Sequence, residues 1–227
     1  MAMRFAFLLG ISLLSVPALA RTQEAKTEDF SSVHIAAGIH ATVEVGHDTS
    51  VRIDADDEVM PFVDVRVEGK ELYVGFKRHT SFQGEHTVKA TIQTPHLTGV
   101  SGSGGSDVRA SFSRGSDASV AASGGSHMRV RGVDASRLNL SASGGSILDV
   151  SGSADSLALQ LSGGSQLHGR DLTVKDVTVQ ASGGSQGDLR ADGHIVGALS
   201  GGSELHVRGH ASSRVATSGG SEVSVDD

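Results

Sequence analysis

The residues with the most obvious capacity for chemistry are His168, Asp188 and His206, which recur at intervals of 20 and 18 residues. Imidazole and carboxylate groups are zinc ligands, and side chains that converge from neighbouring strands can hold an ion at about 2.0 Å. The same series begins upstream with Arg129 and Asp149, so cations and anions alternate along it. We interpret the series as a ladder of exposed charges, keep zinc as a weak alternative, and expect no cofactor.

Two acids of this series, Asp149 and Asp188, stand two repeats apart, roughly 9.6 Å if each repeat adds one strand to a sheet. Glycosidases use paired carboxylates at a defined separation, and lyases use acids that hold calcium beside a basic residue. Clefts that act on glycans also stack sugar rings on aromatic side chains, yet the chain has no tryptophan and only one tyrosine, Tyr73. We predict that the protein is not an enzyme.

The densest acidic cluster is formed by Asp54, Asp56, Asp57 and Glu58. A calcium loop needs alternating oxygen ligands on a glycine-hinged turn that ends in a bidentate acid, and this spacing fits poorly. We interpret the cluster as a solvated loop, with calcium as a weak alternative.

The elements that must position these side chains are marked by the tetrapeptide Ser-Gly-Gly-Ser, which starts at Ser103, Ser123, Ser143, Ser162, Ser182, Ser200 and Ser218. A chain that reverses within two residues needs positive φ and has no room for a Cβ between stacked turns, so the glycines predict structural corners. These are Gly104, Gly105, Gly124, Gly125, Gly144, Gly145, Gly163, Gly164, Gly183, Gly184, Gly201, Gly202, Gly219 and Gly220. We expect the serines to stack as ladders, with their hydroxyls bonding along the axis of the coil.

Apolar residues alternate with polar ones on both sides of each corner, as in Leu138 and Leu140 before one corner and Leu148 and Val150 after it. This alternation is typical of strands with one buried face. A unit of about twenty residues cannot bury its apolar face alone and must stack on its neighbours. We therefore predict an all-β fold, a β-solenoid of about seven rungs, each with two strands of roughly five residues and two turns.

The chain divides into four segments. Residues 1–20 have Arg4, an apolar stretch and Ala18-Leu19-Ala20, which is typical of a signal peptide cleaved after Ala20. Residues 21–29 are polar and are expected to be mobile. Residues 30–98 keep the β-alternation without the motif and are predicted to cap the repeat solenoid of residues 99–227, so that 30–227 form one continuous domain.

The composition of the chain excludes some classes of binding partner. The formal net charge of −7 argues against nucleic acid, and no stretch after the signal peptide is long and apolar enough for a membrane span. The absence of cysteine excludes disulfides. The last motif is followed only by Glu222 to Asp227, so we expect an incomplete final rung and self-association through it.

The chain resembles the bacterial family called putative auto-transporter adhesin, head GIN domain. The resemblance rests on the signal peptide, on FSSVHIAAGIHATVEVG at 30–46, on VDVRVEGKELYVGF at 63–76, and on the repeated corners. It implies a right-handed parallel β-helix with a role in cell adhesion.

Together, these features predict an exported, non-enzymatic binding or adhesion-type scaffold, in the periplasm or at the cell surface, whose partner is an envelope or surface protein or a glycan. The alternatives are a β-helix protein that binds or degrades polysaccharide, and a purely structural envelope or stress component.

Overall fold

The computed structural model describes residues 20–80, 86–115 and 117–226, so most of the predicted signal peptide lies outside the described residues. These residues form β-strands, one 3₁₀ turn at Met60–Phe62 and no α-helix. The strands are β1 Ala20–Ala25, β2 Ser32–Ile35, β3 His40–Val45, β4 Ser50–Asp56, β5 Val63–Glu68, β6 Glu71–Phe76, β7 Lys89–Thr94, β8 Gly99–Gly102, β9 Asp107–Ser111, β10 Ala118–Ala122, β11 His127–Ala142, β12 Ile147–Leu161, β13 Gln166–Ala181, β14 Gln186–Ala191, β15 His194–Leu199, β16 Glu204–Arg208, β17 Ser212–Thr217 and β18 Glu222–Asp226.

Two ladders of strands run along the axis of the coil, one on each side of the glycine corners. The upstream sheet holds the strands that enter the corners, in the order β5, β6, β2, β8, β10, β11, β12, β13, β15, β17. The downstream sheet holds those that leave them, in the order β1, β4, β7, β3, β9, β11, β12, β13, β14, β16, β18. From β2 and β3 to the C-terminal end every pairing is parallel, which confirms the predicted β-solenoid.

The long strands β11, β12 and β13 belong to both sheets and pass through a third side of the coil between them. There Val133 pairs with Gly152, and Gly152 pairs with Leu172. A Cβ at Gly152 would lie 2.1 Å from the Val133 carbonyl oxygen, so only glycine fits this close approach. The prediction of two five-residue strands in every rung was therefore wrong for the rungs formed by β11, β12 and β13. There the strand continues through a bulge where a tight turn between two strands was expected.

The glycine pairs line up as one spine, as predicted. Each first glycine has φ between 61° and 69°, and its missing Cβ would lie 3.0–3.3 Å from a backbone nitrogen of the preceding corner. Below Gly104 that nitrogen belongs to Ala37, which has φ of 59° and is followed by Gly38 at 74°. Ala37 and Gly38 therefore form an eighth corner, which the sequence analysis missed because they lack the flanking serines.

The second serine of each motif faces the interior, and six of the seven are at most 1% exposed. In five of the seven motifs its hydroxyl donates to the carbonyl of the first serine in the same motif, for example Ser126 to Ser123 at 2.8 Å and Ser203 to Ser200 at 2.8 Å. The hydroxyls of Ser126 and Ser165 donate along the coil axis, to the carbonyls of Gly102 and Ala142 on the preceding rung at 2.9 and 3.0 Å. The acceptors are thus backbone carbonyls of the turn or of the preceding rung.

The N-terminal strands enter the stack out of chain order. β2 and β3 lie between β6 and β7 on one side and β8 and β9 on the other. β1, β4 and β5 then add antiparallel pairings at this end. Residues 21–25 belong to β1 and are hydrogen-bonded to β4, so the expected mobility of residues 21–29 was wrong for that part.

The core runs the length of the coil between the sheets. Val108, Met128, Leu148, Leu167 and Leu205 form one of the inward columns predicted from the repeats, and each is at most 1% exposed. Burying such a side chain contributes about 1.5–3 kcal/mol, and the strands thereby fix their outward side chains in rows about 4.8 Å apart.

Candidate binding surface

The outward side chains of the downstream sheet form a charged cluster of Asp107, His127, Arg129, Asp149 and His168, called here the downstream cluster. His127 Nε2 lies 2.7 Å from Asp149 Oδ2, and His168 Nδ1 lies 2.8 Å from Asp149 Oδ1. Arg129 donates to Asp107 at 3.1 Å and to His127 Nδ1 at 3.1 Å. Neighbouring rungs therefore bond to each other through their side chains as well as their backbones.

The Asp149 carboxylate titrates below its ordinary range. Burial raises the pKa of Asp149, but hydrogen bonds from His127 and His168, together with the positive charge of these rings when protonated, lower it by more. A general acid of a glycosidase needs a raised pKa so that it still carries a proton. Asp149 is therefore held as an anion by its two histidine partners and does not fit the role of the general acid.

The three weak metal candidates occupy adjacent positions without converging. His168 pairs in register with Asp188, and Asp188 with His206. However, His168 bonds to Asp149, and His206 Nδ1 lies 2.6 Å from the Ser224 hydroxyl. Within the described ranges no group of three or more histidine, aspartate or glutamate side chains could hold a metal ion.

The acidic cluster near β4 is split between different partners. Asp54 accepts a hydrogen bond from Thr22 and lies 3.7 Å from Arg52, while Asp56 Oδ2 lies 3.7 Å from His86 Nδ1. Asp57 and Glu58 are exposed in the following turn. This arrangement fits the interpretation as a solvated loop.

The upstream sheet differs sharply in its outward face, called here the uncharged face. From β8 to β15, the two outward positions that precede the corner on each rung give twelve residues, none of them charged. They are Gly99, Ser101, Ser119, Ala121, Asn139, Ser141, Ala158, Gln160, Thr178, Gln180, Val196 and Ala198. Since 20% of the chain is charged, and the downstream sheet and third side carry charges throughout, this face is distinguished by its composition.

Charged residues border the uncharged face on its edges. Arg137 and Asp117 form an ion pair of 2.6 Å where the third side meets the upstream sheet. Glu71 lies beyond one end of the face and Arg214 beyond the other. The boundary shows that the absence of charge is confined to a defined surface.

The uncharged face contains a depression of about 470 Å³ beside the glycine corners. Gln160 and Gln180 line it and are register partners on β12 and β13. Ser141 and Ala198 line it on the neighbouring rungs, and the corner serines Ser162, Ser182 and Ser200 contribute its edge. Hydroxyl and amide groups therefore supply its polar side chains.

The single tyrosine lies past one end of the uncharged face, in the same outward column. Tyr73 stacks on His34 with ring centroids 5.4 Å apart and planes 6° apart. The Arg66 guanidinium lies 3.8 Å from the centre of the tyrosine ring. These contacts occupy the ring, so Tyr73 offers no free platform for stacking a sugar.

Sequence reasoning placed Asp149 and His168 in one ladder of charges but missed His127, and it missed the uncharged face altogether. A signal was present: the residues two positions before the repeated motifs are Ser101, Ala121, Ser141, Gln160, Gln180, Ala198 and Ala216. On this side of the corners the prediction used only the inward columns, and these outward positions did not enter it.

Several solved structures share this fold. A putative adhesin from Bacteroides fragilis has 17% identity and a TM-score of 0.82, with 92% of this chain and 96% of that chain covered. A putative adhesin from Parabacteroides merdae has 15% identity and a TM-score of 0.74, with 93% and 97% covered. A putative lipid binding protein from Parabacteroides distasonis has 14% identity and a TM-score of 0.72, with 93% and 98% covered. At these identities the likeness shows the fold.

Curated proteins give no match to this chain, whereas a family description matches most of it. The match covers residues 29–211 and includes strands β2 to β16, six of the seven Ser-Gly-Gly-Ser corners and the whole of the uncharged face. The chain belongs to the family described as putative auto-transporter adhesin, head GIN domain.

Proposed function

We propose that the protein is an exported, non-enzymatic scaffold that binds or adheres to a component of the bacterial envelope or cell surface through its uncharged face. The observation that carries the proposal is the segregation of charge: twelve outward residues of one sheet carry none, while the other outward surfaces are charged. An uncharged surface costs less to dehydrate than a charged one. A flat sheet also holds its side chains in place without the entropy of ordering loops.

Family membership supports a binding role, because the family is described as an adhesin. The hydrogen bonds that join Asp149 to His127 and His168 support a structural role for the downstream cluster. Export rests on residues 1–20, whose pattern is that of a cleaved signal peptide. None of the described helices is long and apolar enough to cross a membrane.

Charge insertion tests the uncharged face as the contact surface. Ser141→Lys and Thr178→Glu place charges on it, and Ser153→Lys and Thr173→Glu place the same charges on exposed positions of the third side. We expect the first pair of variants to reduce retention of labelled protein on envelope preparations about tenfold, since a buried unpaired charge costs more than 1 kcal/mol. The second pair should bind like wild type, and equal retention of all four variants would refute the proposal.

We further propose that copies of the chain associate through β17 and β18. Within the described residues each of these strands pairs along one edge only. Val223 is partly exposed, whereas Leu205 at the same position of the preceding rung is 1% exposed.

A further inference from the structure

Six of the seven polar side chains on the uncharged face lack hydrogen-bond partners among the described residues; the seventh, Ser101, lies 2.7 Å from His34 Nδ1. Within the described ranges Ser119, Asn139, Ser141, Gln160, Thr178 and Gln180 make no side-chain hydrogen bond. On the downstream sheet the same residue type behaves differently, because the Gln186 amide donates to Glu204 at 3.3 Å across one rung. The uncharged face thus presents a set of free donors and acceptors.

Gln160 and Gln180 concentrate this capacity in one place. Each amide offers two donors and one acceptor oxygen, and register pairing puts the two residues on adjacent strands about 4.8 Å apart. Their neighbours along the column, Ser141 and Ala198, have shorter side chains. The two amides therefore project into the depression of about 470 Å³ with room for a ligand on both sides.

We propose that this face binds an uncharged polysaccharide that lies along the axis of the coil, with its hydroxyl groups paired to Gln160, Gln180 and Ser141. This inference rests on the proposed function, since it names the ligand class of the same surface. Sugar hydroxyls are both donors and acceptors, as are the free groups of the face, and no charge on either side has to be dehydrated.

Other occupants fit this surface less well. An acidic polymer would find no cation among the twelve outward residues. A second copy of the face would bury too little area: five residues by six rungs is roughly 17 by 29 Å, or about 1,000 Å² for both copies, whereas stable interfaces bury about 1,200–2,000 Å². A polysaccharide needs only a strip of this width, and repeated contacts along it add up through avidity.

The test measures binding of residues 21–227 to immobilised dextran, mannan and β-1,3-glucan, with alginate as an acidic polymer. The double variant Gln160→Ala/Gln180→Ala removes the proposed contacts, and Gln186→Ala removes an exposed glutamine from the downstream sheet. We expect the double variant to bind at least one neutral polymer about tenfold more weakly, the effect of losing roughly 1.4 kcal/mol of hydrogen bonding. Gln186→Ala should bind like wild type, and binding should change little with salt because no ion pairs form.

Each other outcome overturns the inference in a distinguishable way. Equal binding of a neutral polymer by wild type and the double variant would place the glycan elsewhere on the molecule. Salt-sensitive binding of alginate alone would contradict the uncharged ligand. If no polymer is retained but charge insertion at Ser141 still reduces envelope retention, the ligand class is wrong and the proposed function stands. If charge insertion also has no effect, both fail.

Discussion

At the scale of single residues, Asp149 is the centre of the downstream cluster. Its carboxylate joins two histidines from different rungs, and Arg129 Nε lies 3.6 Å from it. Because the pKa of Asp149 is lower in the folded protein than in the unfolded chain, the carboxylate stabilises the fold fully above the ordinary aspartate value of about 3.9 and loses this effect as the pH falls through the lowered value.

Asp149→Asn should therefore lower the free energy of unfolding by about 0.5–1 kcal/mol at pH 5 and above, where the carboxylate is charged. The side chain is 35% exposed, so solvent screening keeps the effect in the range of surface pairs. Urea unfolding of both proteins at pH 3, 5 and 7 measures the difference. Asp155→Asn, at an exposed position without an ion pair in the described part of the chain, serves as the control.

The difference should shrink at pH 3, because protonation removes the charge that wild type alone carries. A loss of stability of the same size at all three pH values would show that the substitution acts through packing, and would contradict the ion-pair explanation.

Prediction at the level of residues succeeded for contacts between equivalent positions of successive repeats. It failed for contacts between positions that are not equivalent. The bond between Asp149 and His168 joins equivalent positions of successive copies, so the spacing in the sequence was sufficient to place both residues in one ladder of charges. The bond between His127 and Asp149 joins positions two residues apart within the repeat, and it depends on side-chain directions that spacing does not reveal.

At the scale of elements, the glycine corner is the feature most open to mutation. A Cβ at Gly144 would lie 3.2 Å from the Gly124 nitrogen, and φ at Gly144 is 63°. Gly144→Val should lower the free energy of unfolding by about 1–3 kcal/mol, because a β-branched residue is strained at positive φ and its Cβ presses on the corner below.

A substitution at the adjacent Gly145 separates backbone strain from the contact of the added Cβ with the corner below. Its φ is 75°, yet a Cβ there would meet no atom within 4 Å. Gly145→Val should therefore show the backbone strain alone and a smaller loss, measured by denaturant unfolding of both variants. An unchanged stability for Gly144→Val would mean that the corners are not stacked as described.

The corners could be predicted from the sequence because a repeated pair of glycines indicates a tight turn with positive φ. The third side of the coil could not be predicted. Gly132 and Gly152, which bend β11 and β12, are single glycines with different surroundings, at φ of 67° and 130°. An isolated glycine in an alternating pattern is compatible with a turn, a bulge or a bend. The continuous path of the long strands therefore emerged only from the pairing of Val133 with Gly152.

At the scale of the whole molecule, the two ends of the coil differ in construction. At the N-terminal end antiparallel pairings of β1, β4 and β5 complete the sheets. At the other end β17 and β18 follow the parallel ladders, and Val225 is 36% exposed. Unpaired strand edges with accessible apolar residues are templates for further pairing.

Association of two copies through this end should therefore be measurable and should respond to charge. Glu222 and Asp226 flank the apolar positions of β18, so two such edges repel each other at low salt. We expect sedimentation velocity of residues 21–227 to show self-association that increases with protein concentration and with salt. Val225→Asp adds a further acid to the edge and should leave a monomer at the same concentrations.

Val196→Asp is the matched control, because Val196 is an equally accessible valine, 43% exposed, on the uncharged face away from the open edge. It should associate like wild type if the edge of β18 is the contact. A wild-type protein that stays monomeric at every accessible concentration and salt would contradict the association, as would loss of association in both valine variants, which would move the contact to the uncharged face.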